Sequence, residues 1–468
     1  MMRRAFVTYC RGRARPGHGD PAPFKKPRVP PKSGVWRARS RDHPENAPMH
    51  DTVAIQDLKI GMFVHLDGGW ISHPFPLSNF RISSADEIQR IRELGVRELR
   101  WSRDKSLLET IEAAVRDAPV HVEAAGNAAP KPADVRRALL DTQRRAAQRC
   151  ENQFNEAAQA LKRAIGTARE QPEAAGVASL ALARALHDKL LGDEQICVRV
   201  LSPQAGEKPT AHALNVTVIA MLMGRLLKWP EADMLSLGLG AMLHDIGKLE
   251  LPHHVHHHDE RMTAAEVKAY RDHVCQGGLL AKRMKLPSDV VQVIEQHHEE
   301  ADGQGFPNRL SMDRMSDAAR IVSIVNTYDG LCNPRNLTRA LTPHEAMSRL
   351  FTQGRGKFDT TMLNVFIRMM GVYPVGSVVQ LTDDRFAVVT HVNASRPLKP
   401  QVMVYDRAVP RDDALLVNLW NEPDLGIRRS LPAAQLPDAA RVYLGPALRL
   451  AYFFETVAPP PGVEPTWL

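Results

Sequence analysis

A series of histidines set through one apolar, helix-forming block constrains this chain more than any other feature. From Val177 to about Val372, amphipathic segments alternate with Pro and Gly and almost no run alternates with a period of two, so the block is expected to be helical. Within it stand His212, the pair His244-Asp245, His273 and the pair His297-His298. Ala241-Met242-Leu243 carries His244 and Asp245 toward an interior, and Lys248 follows one turn later on the same face. Burying such groups is costly unless hydrogen bonds or a cation satisfy them. Imidazole and carboxylate together suit borderline or hard divalent ions. A lone histidine in such a helix reads as a satisfied core residue; a recurring series reads as a metal site.

Around this block the pattern changes in both directions, and the fold class expected is mainly α with two small flanking additions. Residues 53–104 mix extended runs with a helix that carries Ile88 and Ile91 on one face, a small α/β N-terminal domain. Residues 105–176 read as a linker and a long helix from Ala133 to about Glu170, spanning roughly 55 Å at 1.5 Å per residue. That helix reads equally well as a packed element or as a stalk that forms a homodimer. Residues 373–456 form a small β-rich extension, with a hairpin flanking Thr382 to Arg385, and residues 457–468 a Pro-rich tail.

The net charge of +8 does not belong to the folded part. Residues 1–50 hold 12 Lys and Arg against three acids, leaving 49 against 50 in the remainder. This segment is expected to be a disordered basic tail, a basic arm for anionic partners and a misjudged start upstream of Met49 being the alternatives. A specific nucleic-acid footprint over the body is excluded. No segment reaches the ~18 apolar residues of a membrane span. Five scattered cysteines point to a reducing interior and a cytoplasmic protein.

Residues 212 to about 370 resemble the HD-GYP domains, helical metallo-phosphodiesterases of the HD superfamily that hydrolyse cyclic di-GMP. The resemblance rests on His212, His244-Asp245-Ile246-Gly247-Lys248, Glu266 leading to His273 and Gly277, His297 through Pro307, and Asn326 through Leu331. Residues 53–104 are similar to the small domain of unknown function that often precedes HD-GYP domains. The resemblance implies that His212, His244, Asp245, His273, His297, His298 and the residue at Asn326 hold a pair of iron or manganese ions, with Asp245 shared. It implies that Lys248 sits beside the scissile phosphate, that Arg335 holds substrate phosphate, and that Gly305, Phe306 and Pro307 border the nucleotide. The product would be pGpG or GMP, and diguanylate cyclases or other signalling proteins are the partners implied.

The chain also departs from that pattern. Asn326 stands where the family has a metal-binding aspartate, and Asp329, three residues on, lies about 60° round the helix and is not expected to replace it. Lys208 occupies the place of a glutamate found in some members, so a third metal is not expected. Thr338 replaces a second phosphate-contacting basic residue, and Phe306 lacks the tyrosine hydroxyl. The tract His253 to His258 reads as an exposed loop without a defined site. Beside the phosphodiesterase therefore stands an alternative, a catalytically degenerate module that binds cyclic di-GMP or a protein and transmits occupancy.

Overall fold

The computed structural model describes residues 51–66, 79–82, 85–93, 96–103, 106, 132–190, 195–201, 208–257, 261–392, 398–447 and 449–457. The basic tail, the 107–131 part of the linker, His258 and the Pro-rich end beyond 457 lie outside the described residues. At the front, β1 (Asp51–Ala54), β2 (Phe63–His65), β3 (Asn79–Arg81) and β4 (Glu98–Ser102) form an antiparallel sheet in the order β1-β4-β2-β3. α1 (Ala85–Glu93) adds Ile91 to a small core of Val53, Val64, Ile82 and Leu99.

The long helix α2 (Pro132–Thr167) begins with proline, whose missing N–H costs nothing in a first turn. Its buried stripe Cys150, Phe154, Ala157, Leu161 and Ala164 repeats at three and four residues. That stripe faces the chain's own C-terminal segment: the Phe154 ring meets Phe453 edge-on, with centroids 6.0 Å apart. The Cys150 to Ala164 part of the periodic face is thus covered within the chain, whereas Leu139, earlier on the same helix, is exposed.

α3 (Pro172–Leu190), α4 (Lys208–Leu226), α5 (Glu231–Leu243), α6 (Ala264–Arg271), α7 (His273–Arg283), α8 (Ser288–Gln296), α9 (Asp317–Cys332), α10 (Pro343–Gln353) and α11 (Thr360–Met370) make up the helical block. α4 is apolar all round and is buried without interruption from Ala213 to Met223, as expected of a central helix. Starts are marked by side chains that accept free backbone N–H groups: capping boxes at Thr263 with Glu266 and at Thr342 with Glu345, Ser316 before α9 and Asp359 before α11.

The block is not wholly helical. β5 (Gln195–Val200) interrupts it and pairs along its whole length with β11 (Tyr452–Val457), Val200 opposite Tyr452 and Gln195 opposite Val457. β5 is the inner neighbour of β11 in an antiparallel sheet ordered β10-β6-β7-β5-β11, built with β6 (Val378–Leu381), β7 (Phe386–Val392) and β10 (Ile427–Ser430). β8 (Gln401–Val404) pairs with β7, and β9 (Leu416–Asn418) with β8. Beside it, α12 (Asp438–Leu444) buries Ala440 and Leu444 against Val378 and Val388. Helices and sheet share one hydrophobic core, in which Tyr452 and Phe453 join Leu214 and Ile219. No helix of the described residues is long and apolar enough to cross a membrane.

Candidate metal centre

Helix ends deliver most of the titratable side chains. α5 stops at Leu243, His244 caps it, and Asp245 takes φ −96° and ψ 7°, a bridge conformation that turns the chain into the 3-10 turn Ile246–Glu250. His273 opens α7 and His297 caps α8, with His298 next to it. His212 comes from the buried α4. Two glycines let these ends meet. A Cβ on Gly247 would lie 1.9 Å from the His273 carbonyl oxygen and 2.3 Å from the Gly277 nitrogen, so only glycine lets the Asp245 turn lie against the start of α7.

The result is a double cluster around one carboxylate. Asp245 Oδ1 lies 3.5 Å from His273 Nε2 and 3.8 Å from His297 Nε2. Its Oδ2 lies 3.5 Å from His244 Nε2, 3.8 Å from His212 Nε2 and 2.5 Å from the Lys248 ammonium. Asp245, His273, His297 and His298 could hold one cation, and His212, His244 and Asp245 another, with Asp245 common to both.

The far side of each ring determines what the near side offers. His244 Nδ1 donates to the Ala241 carbonyl at 2.7 Å, His273 Nδ1 to Tyr270 at 2.5 Å and His297 Nδ1 to Ile294 at 2.8 Å. A carbonyl only accepts, so Nδ1 carries the proton and Nε2 presents a lone pair in the neutral ring. His212 Nδ1 donates instead to Asp329 Oδ2 at 2.6 Å, the carboxylate–histidine arrangement that fixes a metal-binding imidazole. His273 and His297 bring their Nε2 atoms to 3.3 Å, two lone pairs face to face, while His212 and His244 bring theirs to 3.2 Å, close enough to share a proton or a cation. Asp245 Oδ1 is buried and has no hydrogen-bond partner among the described residues. Facing lone pairs and an orphaned carboxylate oxygen are satisfied together by a cation, so the residues present fit a metal.

Electrostatics agree with this. Burial lowers His244 to about 4 and holds His297 and His298 well below the ordinary imidazole value, so these rings are neutral ligands at pH 7. Burial alone would push the Asp245 carboxyl up, but the Lys248 ammonium beside it holds it well below the usual range. His212 is raised: burial lowers it, but the Asp329 bond and charge prevail. The cluster opens onto a cavity of about 670 Å³ whose wall includes Lys248, Tyr270, His298, Asn326, Arg335 and Arg449, within the size range of small-molecule sites.

Residues 196–362 match the family model described as an HD domain, and residues 50–176 one described as a domain of unknown function, DUF3391. The match places an HD domain at residues 196–362. It is similar to a cyclic di-GMP phosphodiesterase of Pseudomonas aeruginosa, 29% identical over 357 residues that make up 75% of this chain and 84% of that protein. A cyclic di-GMP phosphodiesterase of Borreliella burgdorferi is 21% identical over 41% of this chain, which covers 50% of its length. An HDG"Y"P protein of Bdellovibrio bacteriovorus aligns with 68% of this chain and 98% of its own at 17% identity and a TM-score of 0.36.

Within this HD domain the structure gathers His212, His244, Asp245, His273, His297, His298 and Lys248, and places Asn326 and Arg335 on the cavity wall. It does not bring Gly305, Phe306 or Pro307 to that wall. Phe306 instead stacks on the back of His298, 4.6 Å away at 18°, so it buttresses a candidate ligand. A Cβ on Gly305 would come within 2.5 Å of the His298 carbonyl oxygen, which is why this turn can fold back so closely. Glu299, fully buried, accepts from the Asn308 and Leu310 N–H groups and holds the turn shut. The histidine tract is not wholly an exposed loop: His253 and His254 are exposed, but His256 and His257 line the cavity.

Asp329 has a working role that its local sequence does not declare. Besides holding His212, its Oδ1 accepts from Asn215 Nδ2 at 2.7 Å and Asn333 Nδ2 at 2.9 Å. The available signal was an Asp one turn before an Asn on a helix otherwise buried on that face. Asn215, on α4, gave none.

Proposed function

We propose that this chain is a metal-dependent phosphodiesterase that opens cyclic di-GMP to pGpG or GMP, with iron or manganese as the resident pair. The observation that carries the reading is Asp245 placed between two sets of imidazole Nε2 atoms, its Oδ1 buried and unpartnered, at the floor of the cavity. His212 and His244 would hold one ion and His273, His297 and His298 the other, with Asp245 shared. Two divalent ions there supply an acidified water and a charge clamp on the phosphoryl oxygens.

The chain's own groups do the rest. Lys248, 2.5 Å from Asp245 Oδ2 and half-buried on the wall, faces the position of the scissile phosphate and offsets the charge that builds on phosphorus in the transition state. Burial pushes the Tyr270 phenol up, so its hydroxyl remains a proton donor beside the same wall. Arg335 offers a guanidinium fork to non-bridging phosphate oxygens. Asn326 exposes an amide that makes no hydrogen bond among the described residues, a neutral oxygen donor in reach of the cavity. Free, buried Cys150 and Cys332 support a reducing, cytoplasmic setting.

Protein loaded with Mn²⁺ or Fe²⁺ under reducing conditions is expected to convert cyclic di-GMP to linear product, and His244→Ala to abolish this. Asn326→Asp should raise both metal content and rate, because it restores a negative charge beside the ions. Tight nucleotide binding with less than one metal per chain and no product would support the degenerate binding module instead.

A further inference from the structure

The C-terminal segment reaches the centre along α4, which carries His212, and the end of α9. Leu450 N donates to Asn333 Oδ1 at 2.8 Å, and the Leu450 carbonyl accepts from Asn215 Nδ2 and Asn333 Nδ2, each at 2.9 Å. Tyr452 N donates to Asn215 Oδ1 at 2.8 Å. The same two asparagines hold Asp329, which holds His212. The backbone on either side of residue 450 is therefore in register with a candidate metal ligand more than two hundred residues earlier in the chain. Arg449 comes immediately before this anchor and lines the cavity.

We propose that Arg449 is a substrate-binding residue, a second guanidinium that holds a phosphate of the dinucleotide together with Arg335. Its Nη1 donates to the Pro334 carbonyl at 3.3 Å, so the two arginines lie on the same stretch of wall, one on each side of that contact. A neutral carbonyl uses one of five guanidinium donors and none of the charge. Among the described residues neither arginine forms an ion pair with a carboxylate, and both acids on the wall are engaged, Asp245 by Lys248 and Asp329 by His212 and the asparagines. A half-buried cation beside a cavity, without an acid of its own and on a backbone pinned by side-chain hydrogen bonds, is prepared for an anion from outside. A cyclic dinucleotide carries two phosphates; Lys248 serves the one at the metal cluster, and the paired arginines hold the other.

This inference rests on the phosphodiesterase reading, and the test separates the two. Manganese-loaded wild type, Arg449→Gln and Arg449→Lys are compared for KM and kcat on cyclic di-GMP, nucleotide affinity by calorimetry, hydrolysis of bis(p-nitrophenyl) phosphate, metal content and melting temperature. Arg449→Gln should raise KM and Kd for the dinucleotide about tenfold or more, the effect of losing a charged hydrogen bond. Its kcat, its hydrolysis of the small diester, its metal content and its melting should stay near wild type, and Arg449→Lys should recover part of the affinity. A wild type that neither binds nor opens cyclic di-GMP sinks the function and this inference with it. An active wild type with unchanged KM and Kd in Arg449→Gln overturns the inference alone. So does a parallel fall in metal content and melting that lysine does not restore, because the arginine is then structural.

Discussion

Gly247 and Gly277 act by what they lack. With a Cβ of Gly247 1.9 Å from a backbone oxygen, the Asp245 turn would have to move away from α7, and Asp245 would lose its distance to His273. Gly247→Ala is therefore expected to cost about 3 kcal/mol or more, above the usual range for overpacking because backbone cannot yield as a side chain does. Metal content should fall with it. Gly166→Ala, on α2 with nothing within 4 Å, should be neutral or stabilising by up to ~1 kcal/mol. Denaturant midpoints of the two variants check the contrast; similar losses would mean the clash is relieved elsewhere. Asp329 acts through its charge. Asp329→Asn keeps an oxygen for Asn215 and Asn333 but can turn an N–H toward His212, which needs an acceptor. Metal affinity should drop about 10–100-fold with the fold retained, measured by metal titration beside a melting curve.

At the level of elements, Glu455 ties three strands together. On β11 it accepts from Arg199 of β5 at 2.7 Å and His391 of β7 at 3.0 Å. Burial alone would raise its carboxyl, but the bonds to His391 and Arg199 hold it at about 2, against 4.5 for an ordinary glutamate. A folded value below the unfolded one lends stability at neutral pH that is lost as the pH falls from about 4.5 through about 2, here about 3 kcal/mol. Burial keeps His391 low as well, so protonation of the unfolded chain adds to the loss below pH 6.5. Urea midpoints should fall steeply across that acid limb, whereas Glu455→Gln should start lower at pH 7 and change less; parallel curves would refute the assignment. The hairpin of β6 and β7 around Thr382 to Arg385 was legible in the sequence, but the pairing of β5 with β7 and β11 was not. The helices were, because apolar spacing, capping residues and Pro or Gly breaks act within one turn. Ile196 to Val200 is a short segment, broken by Arg199, whose partner lies more than two hundred residues away, and no local period reports that. The same holds for the site: His244-Asp245-Ile246-Gly247-Lys248 and His297-His298 could be read directly, whereas Asn215, Asn333 and Arg449 gain their roles only when β11 returns to α4 and α9.

For the molecule as a whole, the candidate ions would be structural members as much as chemical ones. Their ligands come from the interior of α4, the end of α5, the start of α7 and the end of α8, elements that otherwise meet mainly through apolar contacts. His273 and His297 face each other with Nε2 atoms 3.3 Å apart, and Asp245 Oδ1 is buried with no hydrogen-bond partner among the described residues. The unfolded chain has no such array, so binding energy is folding energy. Metal at one hundred times its Kd adds about 2.7 kcal/mol to the native state. Chelator-treated wild type should therefore melt several degrees below the manganese-loaded protein and recover on re-addition. His244→Ala removes one ligand and leaves Asp245 to share the remaining ion, so its response to manganese should be clearly smaller, and Asp245→Ala, which removes the bridge, should show almost none. Calorimetric melts with metal content measured on the same samples decide this. If wild type melts alike with and without chelator while Asp245→Ala melts higher than both, the cluster is a strained but closed hydrogen-bonded core, and the metal-dependent account of the molecule fails with it.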